Sequence, residues 1–118
     1  MEFDNLDSFS RSRGLIAARH AKAFARLLIA GAHGADLAAG QKNWGGWDGT
    51  RVGFDFAVAE ECGRYAECGA YTAAYGDQVL VVEYRARDFA KTCAGFGDRL
   101  AVVLRDRDLT PHGVRRWC

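Results

Sequence analysis

No sign of charge dominates this chain. Sixteen lysines and arginines stand against fifteen aspartates and glutamates, a formal net charge of +1, so the electrostatic footprint of a nucleic-acid binder is missing. No apolar run approaches the roughly 20 residues that cross a bilayer. The longest candidate, Leu15 to Ala32, is interrupted by Arg19, His20, Lys22 and Arg26 and reads as an amphipathic helix. Neither nucleic acid nor a membrane is therefore expected as a partner. The opening MEFDNLD is acidic where a signal peptide carries a basic segment. Serine occurs only at Ser8, Ser10 and Ser12, outside any G-x-S-x-G turn, which removes a serine hydrolase. With neither G-x-G-x-x-G nor G-x-x-x-x-G-K-[ST], a nucleotide cofactor has no support. Histidines are few and scattered (His20, His33, His112), and none of the four cysteines forms a C-x-x-C pair. No metal or cofactor is expected.

What the chain does hold is the material of one globular domain: 118 residues, 49% apolar, 12% aromatic, with 14 glycines and one proline. Gly14 to Gly34 reads as a helix, with Ile16, His20, Phe24, Leu27, Leu28 and Gly31 on one stripe. Asp36 to Asn43 is a short strand candidate, followed by the turn-rich NWGGWDGTRVG. Phe54 to Cys62 reads as a strand ending in two carboxylates, and Gly63 to Gly76 as a short helix with Tyr65, Cys68, Tyr71 and Tyr75 near one face. Gln78 to Tyr84 is an almost continuous apolar run, the pattern of a parallel strand covered on both faces. A short helix over Arg87 to Gly95 and a last buried strand over Leu100 to Leu104 complete the series. Strands alternating with helices predict an α/β fold with a parallel sheet.

Each expected strand ends in polar or charged residues: Asp4 and Asn5, Lys42 and Asn43, Glu60 and Glu61, Glu83, then Arg105 and Asp106. Strand ends run out into solvent and turn polar for that reason alone. A set of five is more than that accounts for, because α/β sheets and barrels bind ligands at the C-terminal ends of their strands. With serine, phosphate-loop and metal chemistry lacking, the reactive groups are carboxylates. Two of them on different strands suit glycoside hydrolysis, where one protonates the leaving oxygen and the other attacks or stabilises the anomeric centre. Trp44, Trp47, Tyr65 and Tyr84 are candidates to stack on sugar rings, although any one of them serves equally well as packing.

The segments EFDNLDSF, GQKN, FDFAVAEECGRYAEC and VVEYR, in this order and spacing, resemble the C-terminal half of the family 114 glycoside hydrolases. These are endo-α-1,4-polygalactosaminidase-like proteins with a TIM-barrel domain. The resemblance covers nearly the whole chain and implies a partial barrel of about strands 4 to 8. It places catalytic carboxylates at Asp4 and Glu60, and substrate-binding residues at Asn5, Asp7, Lys42, Asn43, Glu83 and Tyr84. Phe3 stands where the family has proline, and Ala59 where it has asparagine. A complete (β/α)8 barrel needs about 250 residues, so the first three strands are expected to be missing and this chain to be weakly active or inactive. The implied partner is a galactosamine-containing polysaccharide, and the implied location is extracellular. A non-catalytic carbohydrate-binding or remnant half-barrel is the alternative, and a small α/β domain of unrelated function a third reading.

Period-two alternation sets Phe54, Phe56, Val58 and Glu60 on one face and Asp55, Ala57, Ala59 and Glu61 on the other. A barrel interior near a cleft suits the small and polar set, which favours Glu61. The family motif favours Glu60, which is preferred here with Glu61 second. The four cysteines are either free thiols or two disulfides. If oxidised, Cys62 and Cys68 are close enough to pair, and Cys93 reaches Cys118 only if the tail folds back over the preceding helix. Half a barrel also leaves two unpaired strand edges, through which self-association is expected.

Overall fold

The computed structural model describes residues 1–118. Six strands form one sheet in the order of the sequence: β1 (Glu2–Phe3), β2 (Gly40–Lys42), β3 (Phe56–Glu60), β4 (Val79–Glu83), β5 (Ala101–Arg105) and β6 (Arg115–Trp117). The first five are parallel neighbours, and β6 returns antiparallel to β5. Between them lie α1 (Ala18–Gly34), α2 (Cys62–Tyr65), α3 (Cys68–Tyr75) and α4 (Ala86–Phe96).

Sequential order has a geometric consequence. Crossovers between parallel strands are right-handed, so strands added one after another in a single direction place every helix on the same face. That is the arrangement of a barrel wall rather than of a doubly wound sheet, and here the sheet stays open. One face of each strand meets the helices: Ala57 and Ala59, Val79 and Val81, Val102 and Leu104 all belong to the continuous core with Ile29, Tyr71, Tyr75 and Phe89. Val79, Val81 and Val102 keep 2% or less of their surface, and each such side chain stabilises by about 1.5–3 kcal/mol relative to exposure. The opposite face carries Phe56, Val58 and Glu60, then Leu80 and Val82, then Val103.

Four sequence expectations change. The Gln78–Tyr84 run is not covered on both faces, since Leu80 is 47% exposed. Its apolar side chains line the inner face of an open barrel wall. Helix α1 buries Ala25, Ile29 and Ala32, while Phe24 and Leu27 of the expected stripe face outward. Ala25 and Ala32, at i and i+7, let the helix approach the sheet closely and Ile29 between them fills the contact. The helix expected over Gly63–Gly76 breaks in two at Ala66, which takes a left-handed conformation (φ 58°), and Tyr65 is exposed. The tail after Leu104 forms the unforeseen β6, whose end is tied to α4 by the Cys93–Cys118 disulfide. Cys62–Cys68 bridges α2 to α3, so no thiol is free. No helix is long and apolar enough to cross a membrane.

Candidate functional site

The C-terminal ends of β1, β2 and β3 bring their polar residues to one point. Lys42, last in β2, shares the inner face with Val58 through the strand register, and its side chain is only 9% exposed. Its Nζ lies 2.9 Å from Asp4 Oδ1 and 3.0 Å from Glu60 Oε2, with Glu2 at 4.0 Å. Two carboxylate oxygens on one ammonium can be no more than about 5.9 Å apart.

Asn43, next along, adopts φ 60°, a left-handed conformation that asparagine tolerates better than most residues. The turn swings its amide across the sheet, where Nδ2 donates to Asn5 Oδ1 and to Glu60 Oε2, each at 3.0 Å. Its Oδ1 accepts the Glu60 backbone N–H at 2.9 Å. From β4 the Tyr84 hydroxyl donates to the other Glu60 oxygen. Burial pushes the Glu60 carboxyl up, but Tyr84, Asn43 and Lys42 outweigh it and hold Glu60 below its ordinary value. Burial likewise pulls the Lys42 ammonium down, and its bonds to Asp4 and Glu60 reverse this and raise it. Burial and the Glu60 carboxylate raise the Tyr84 phenol.

Glu61 leaves the strand in a left-handed conformation (φ 56°), so period two ends there. Its carboxylate turns away from Asp4 and is clamped by Arg64 at 2.7 Å and Arg107 at 3.0 Å. Burial raises Glu61, and these two guanidinium groups more than compensate, keeping it ionised. Arg107 also lies over the Tyr84 ring, 5.0 Å from its centroid. The alternation argument therefore assigned the wrong set to the interior: the face of Phe56 and Val58 is the one that carries Glu60 to Asp4.

Beside this pair opens a cavity of about 460 Å³ bordered by Asp7, Arg11, Trp44, Glu60, Glu61 and Tyr65, among others. Asp7 is paired with Arg11 at 3.2 Å. Trp44 and Tyr65 border the cavity as expected, whereas Trp47 packs between Trp44 and Phe54, at 4.6 and 6.0 Å between ring centroids.

Glu83 requires correction. It was expected at the cleft, yet the register that puts Val79 and Val81 under the helices puts Glu83 there too, and it is fully buried. Oε1 accepts from the Gly63 N–H at 2.7 Å and from Thr92 Oγ1 at 3.1 Å, while Oε2 has no partner. Burial outweighs these bonds and raises its pKa. Cys62, Cys68 and Glu83 place potential metal-ligand atoms within 4.8 Å of one another. The two sulfurs are bonded to each other, so no thiolate is offered. Arg107 escaped the sequence reading because its partner Glu61 is 46 positions away, whereas Arg64 stands three residues after Glu61, a local spacing that could have signalled the pair.

Two carboxylates thus meet on one ammonium at the C-terminal ends of the strands, on the inner face of a barrel wall. No curated protein sequence matches significantly. Among solved structures, the chain is similar to Ega3 of Aspergillus fumigatus, crystallised in complex with galactosamine, with a TM-score of 0.83 and 21% sequence identity. That likeness covers 99% of this chain and 53% of the other, so the chain spans about half the length of that structure. The sequence matches the profile of glycoside-hydrolase family GH114 over residues 1–118, and the chain belongs to that family.

Proposed function

We propose that this chain carries the two reacting carboxylates of an endo-hydrolase of α-1,4-linked galactosamine polymers, Asp4 as nucleophile or charge stabiliser and Glu60 as acid and base. The observation that carries the reading is the convergence of both carboxylates on Lys42 Nζ, which limits their separation to about 5.9 Å. Retaining glycosidases hold theirs at about 5–5.5 Å and inverting ones at about 6.5–9.5 Å, so the product is expected to keep the α configuration. Asp4, exposed at the mouth of the site, attacks the anomeric carbon as the glycosidic oxygen takes a proton from Glu60. In the second half-reaction Glu60 removes a proton from the water that frees the sugar. The ionised state that Asn43, Tyr84 and Lys42 impose on free Glu60 is the one the second step uses. Donation in the first step requires the incoming sugar to displace one of these contacts and let the carboxyl take up a proton.

A polymer of free galactosamine is cationic near neutral pH, and its amines can compete for the carboxylates that border the cleft, of which Asp7, Glu60 and Glu61 are paired with Arg11, Lys42 and the two arginines in the free chain. That the structural neighbour was crystallised with galactosamine supports the sugar. The second reading, carbohydrate binding without turnover, is favoured by the open inner face of the sheet, where Leu80 remains 47% exposed. A defined, fully deacetylated α-1,4-galactosamine oligomer separates them. Shorter α-anomeric products seen by mass spectrometry and proton NMR, lost in Asp4→Asn, support hydrolysis. Binding by calorimetry with an unchanged oligomer supports the second reading, and neither binding nor cleavage refutes both.

A further inference from the structure

The loop after β2 is unusual in its backbone: Asn43 and Trp44, neither of them glycine, take consecutive left-handed conformations at φ 60° and 63°. Such conformations cost of order 1–3 kcal/mol each and persist only where the surroundings fix them. The fixing group is Gln41, which alternation places on the helix side of the sheet and which is fully buried. Its Nε2 has two hydrogens and serves three carbonyls, those of Asn43 at 2.9 Å, Trp44 at 3.2 Å and Trp47 at 3.2 Å, one hydrogen being shared. Its Oε1 accepts the Tyr75 hydroxyl at 2.6 Å. An amide has one donor end and one acceptor end. The loop presents only carbonyls, which can only accept, so it takes the donor end, and the Tyr75 hydroxyl from α3 satisfies the acceptor end left behind it. The loop lies so close to this pair that a Cβ on Gly49 would sit 2.1 Å from Gln41 Oε1 and 2.7 Å from the Tyr75 oxygen.

The strained turn is what carries the Asn43 side chain back over the sheet, where it holds Glu60 by both backbone and carboxylate and also reaches Asn5. We infer that Gln41, backed by Tyr75, is a positioning residue: from beneath the sheet it locks the Asn43–Trp47 loop so that Asn43 holds Glu60 in its orientation towards Asp4 and Lys42. The inference rests on the reading of Glu60 as the acid and base of the reaction. No residue of the pair touches the cleft, and the effect passes through three backbone carbonyls. The same lock sets Trp44 at the border of the cavity.

The test follows the Glu60 carboxyl by carbon-13 NMR titration in the 118-residue chain, together with the Asn43 side-chain amide resonances. Gln41→Leu removes all three donations while roughly keeping the buried volume. Tyr75→Phe leaves Gln41 in place and removes only the hydroxyl bonded to its Oε1. Val79→Ala, in the same core, is the control for lost packing. Losing the Asn43 donation should raise the Glu60 midpoint by roughly half a pH unit or more in Gln41→Leu, with a smaller rise in Tyr75→Phe. Both variants should also shift the Asn43 amide resonances. Val79→Ala should lower the melting temperature without moving either. With a galactosamine oligomer, kcat should fall about tenfold or more, the scale of a misplaced acid–base group, while KM changes little. A folded Gln41→Leu or Tyr75→Phe whose Glu60 titrates as in the unaltered chain overturns the inference. So does a Val79→Ala that moves Glu60 equally. If Gln41→Leu does not fold, Tyr75→Phe decides alone. A chain that cleaves no oligomer refutes the proposed hydrolysis, while the titration still decides the role of Gln41.

Discussion

Lys42→Met puts the electrostatics of the site to a quantitative test. Methionine keeps most of the buried stem and removes the positive charge that lies 3.0 Å from Glu60 Oε2. At an effective dielectric of about 20, opposite charges about 3 Å apart attract by roughly 5.5 kcal/mol, which bounds the lost stabilisation of the carboxylate at about four pH units. The Glu60 side chain is 25% exposed, and water that reaches it takes over a large share of that stabilisation. A rise of at least about one unit in the Glu60 midpoint is the expected net effect. The consequence for stability has a definite sign. Glu60 is held below its ordinary value of 4.5 in the folded chain, so its contribution is present above that value and is lost as pH falls through the folded pKa. Lys42→Met should therefore be less stable than the unaltered chain at neutral pH, and the difference should shrink on acidification. Carbon-13 titration of Glu60 and urea unfolding from about pH 3 to 8 measure both quantities. A Glu60 midpoint unchanged within about 0.3 units, or a stability gap that widens in acid, refutes the reasoning.

With the missing strands restored, Glu60→Gln should depress turnover of a galactosamine oligomer by about 10²–10⁴-fold, the scale of lost general acid–base catalysis. Glu61→Gln should cost less, because its carboxylate serves Arg64 and Arg107; the reverse order in a kcat comparison sinks the assignment. Glu83 is raised by burial, so its favourable contribution is complete below the unfolded value and is lost as pH rises towards the folded pKa. Relative to Glu83→Gln, the unaltered chain should lose up to about 1.4 kcal/mol per pH unit across that window, and a pH-independent difference in denaturant unfolding counts against it. Cys93→Ala with Cys118→Ala opens a loop of 25 residues and should cost about 3.5 kcal/mol, against about 2 kcal/mol for the loop closed by Cys62–Cys68. Equal losses in thermal melts contradict the loop-length argument.

The sequence by itself determined the alternation of strands and helices, because apolar runs such as VLVV and LAVV and their glycine-rich separators are local signals. It also pointed to carboxylate chemistry, since serine, phosphate-loop and metal signals are lacking, and the resemblance to the family 114 glycoside hydrolases named Asp4 and Glu60 as the candidates. Strand β6 could not be foreseen, since RRW is neither apolar nor alternating and forms only because β5 offers an edge and Cys93 a tether. The outward Phe24 and Leu27 and the buried Ala25, Ile29 and Ala32 likewise depend on which face of α1 the sheet presses against, which periodicity cannot rank. Glu60 and Glu61 are adjacent in sequence and alike in type. A single left-handed backbone turn at Glu61 separated them, giving one to Asp4 and Lys42 and the other to two arginines. Glu83 reads as one more polar strand end until the register of β4 with β5 turns it under the helices. Gln41 carried no signal at all: its role consists of hydrogen bonds to the loop that follows it and to a tyrosine 34 positions away, and only the packing of α3 on the sheet brings them together.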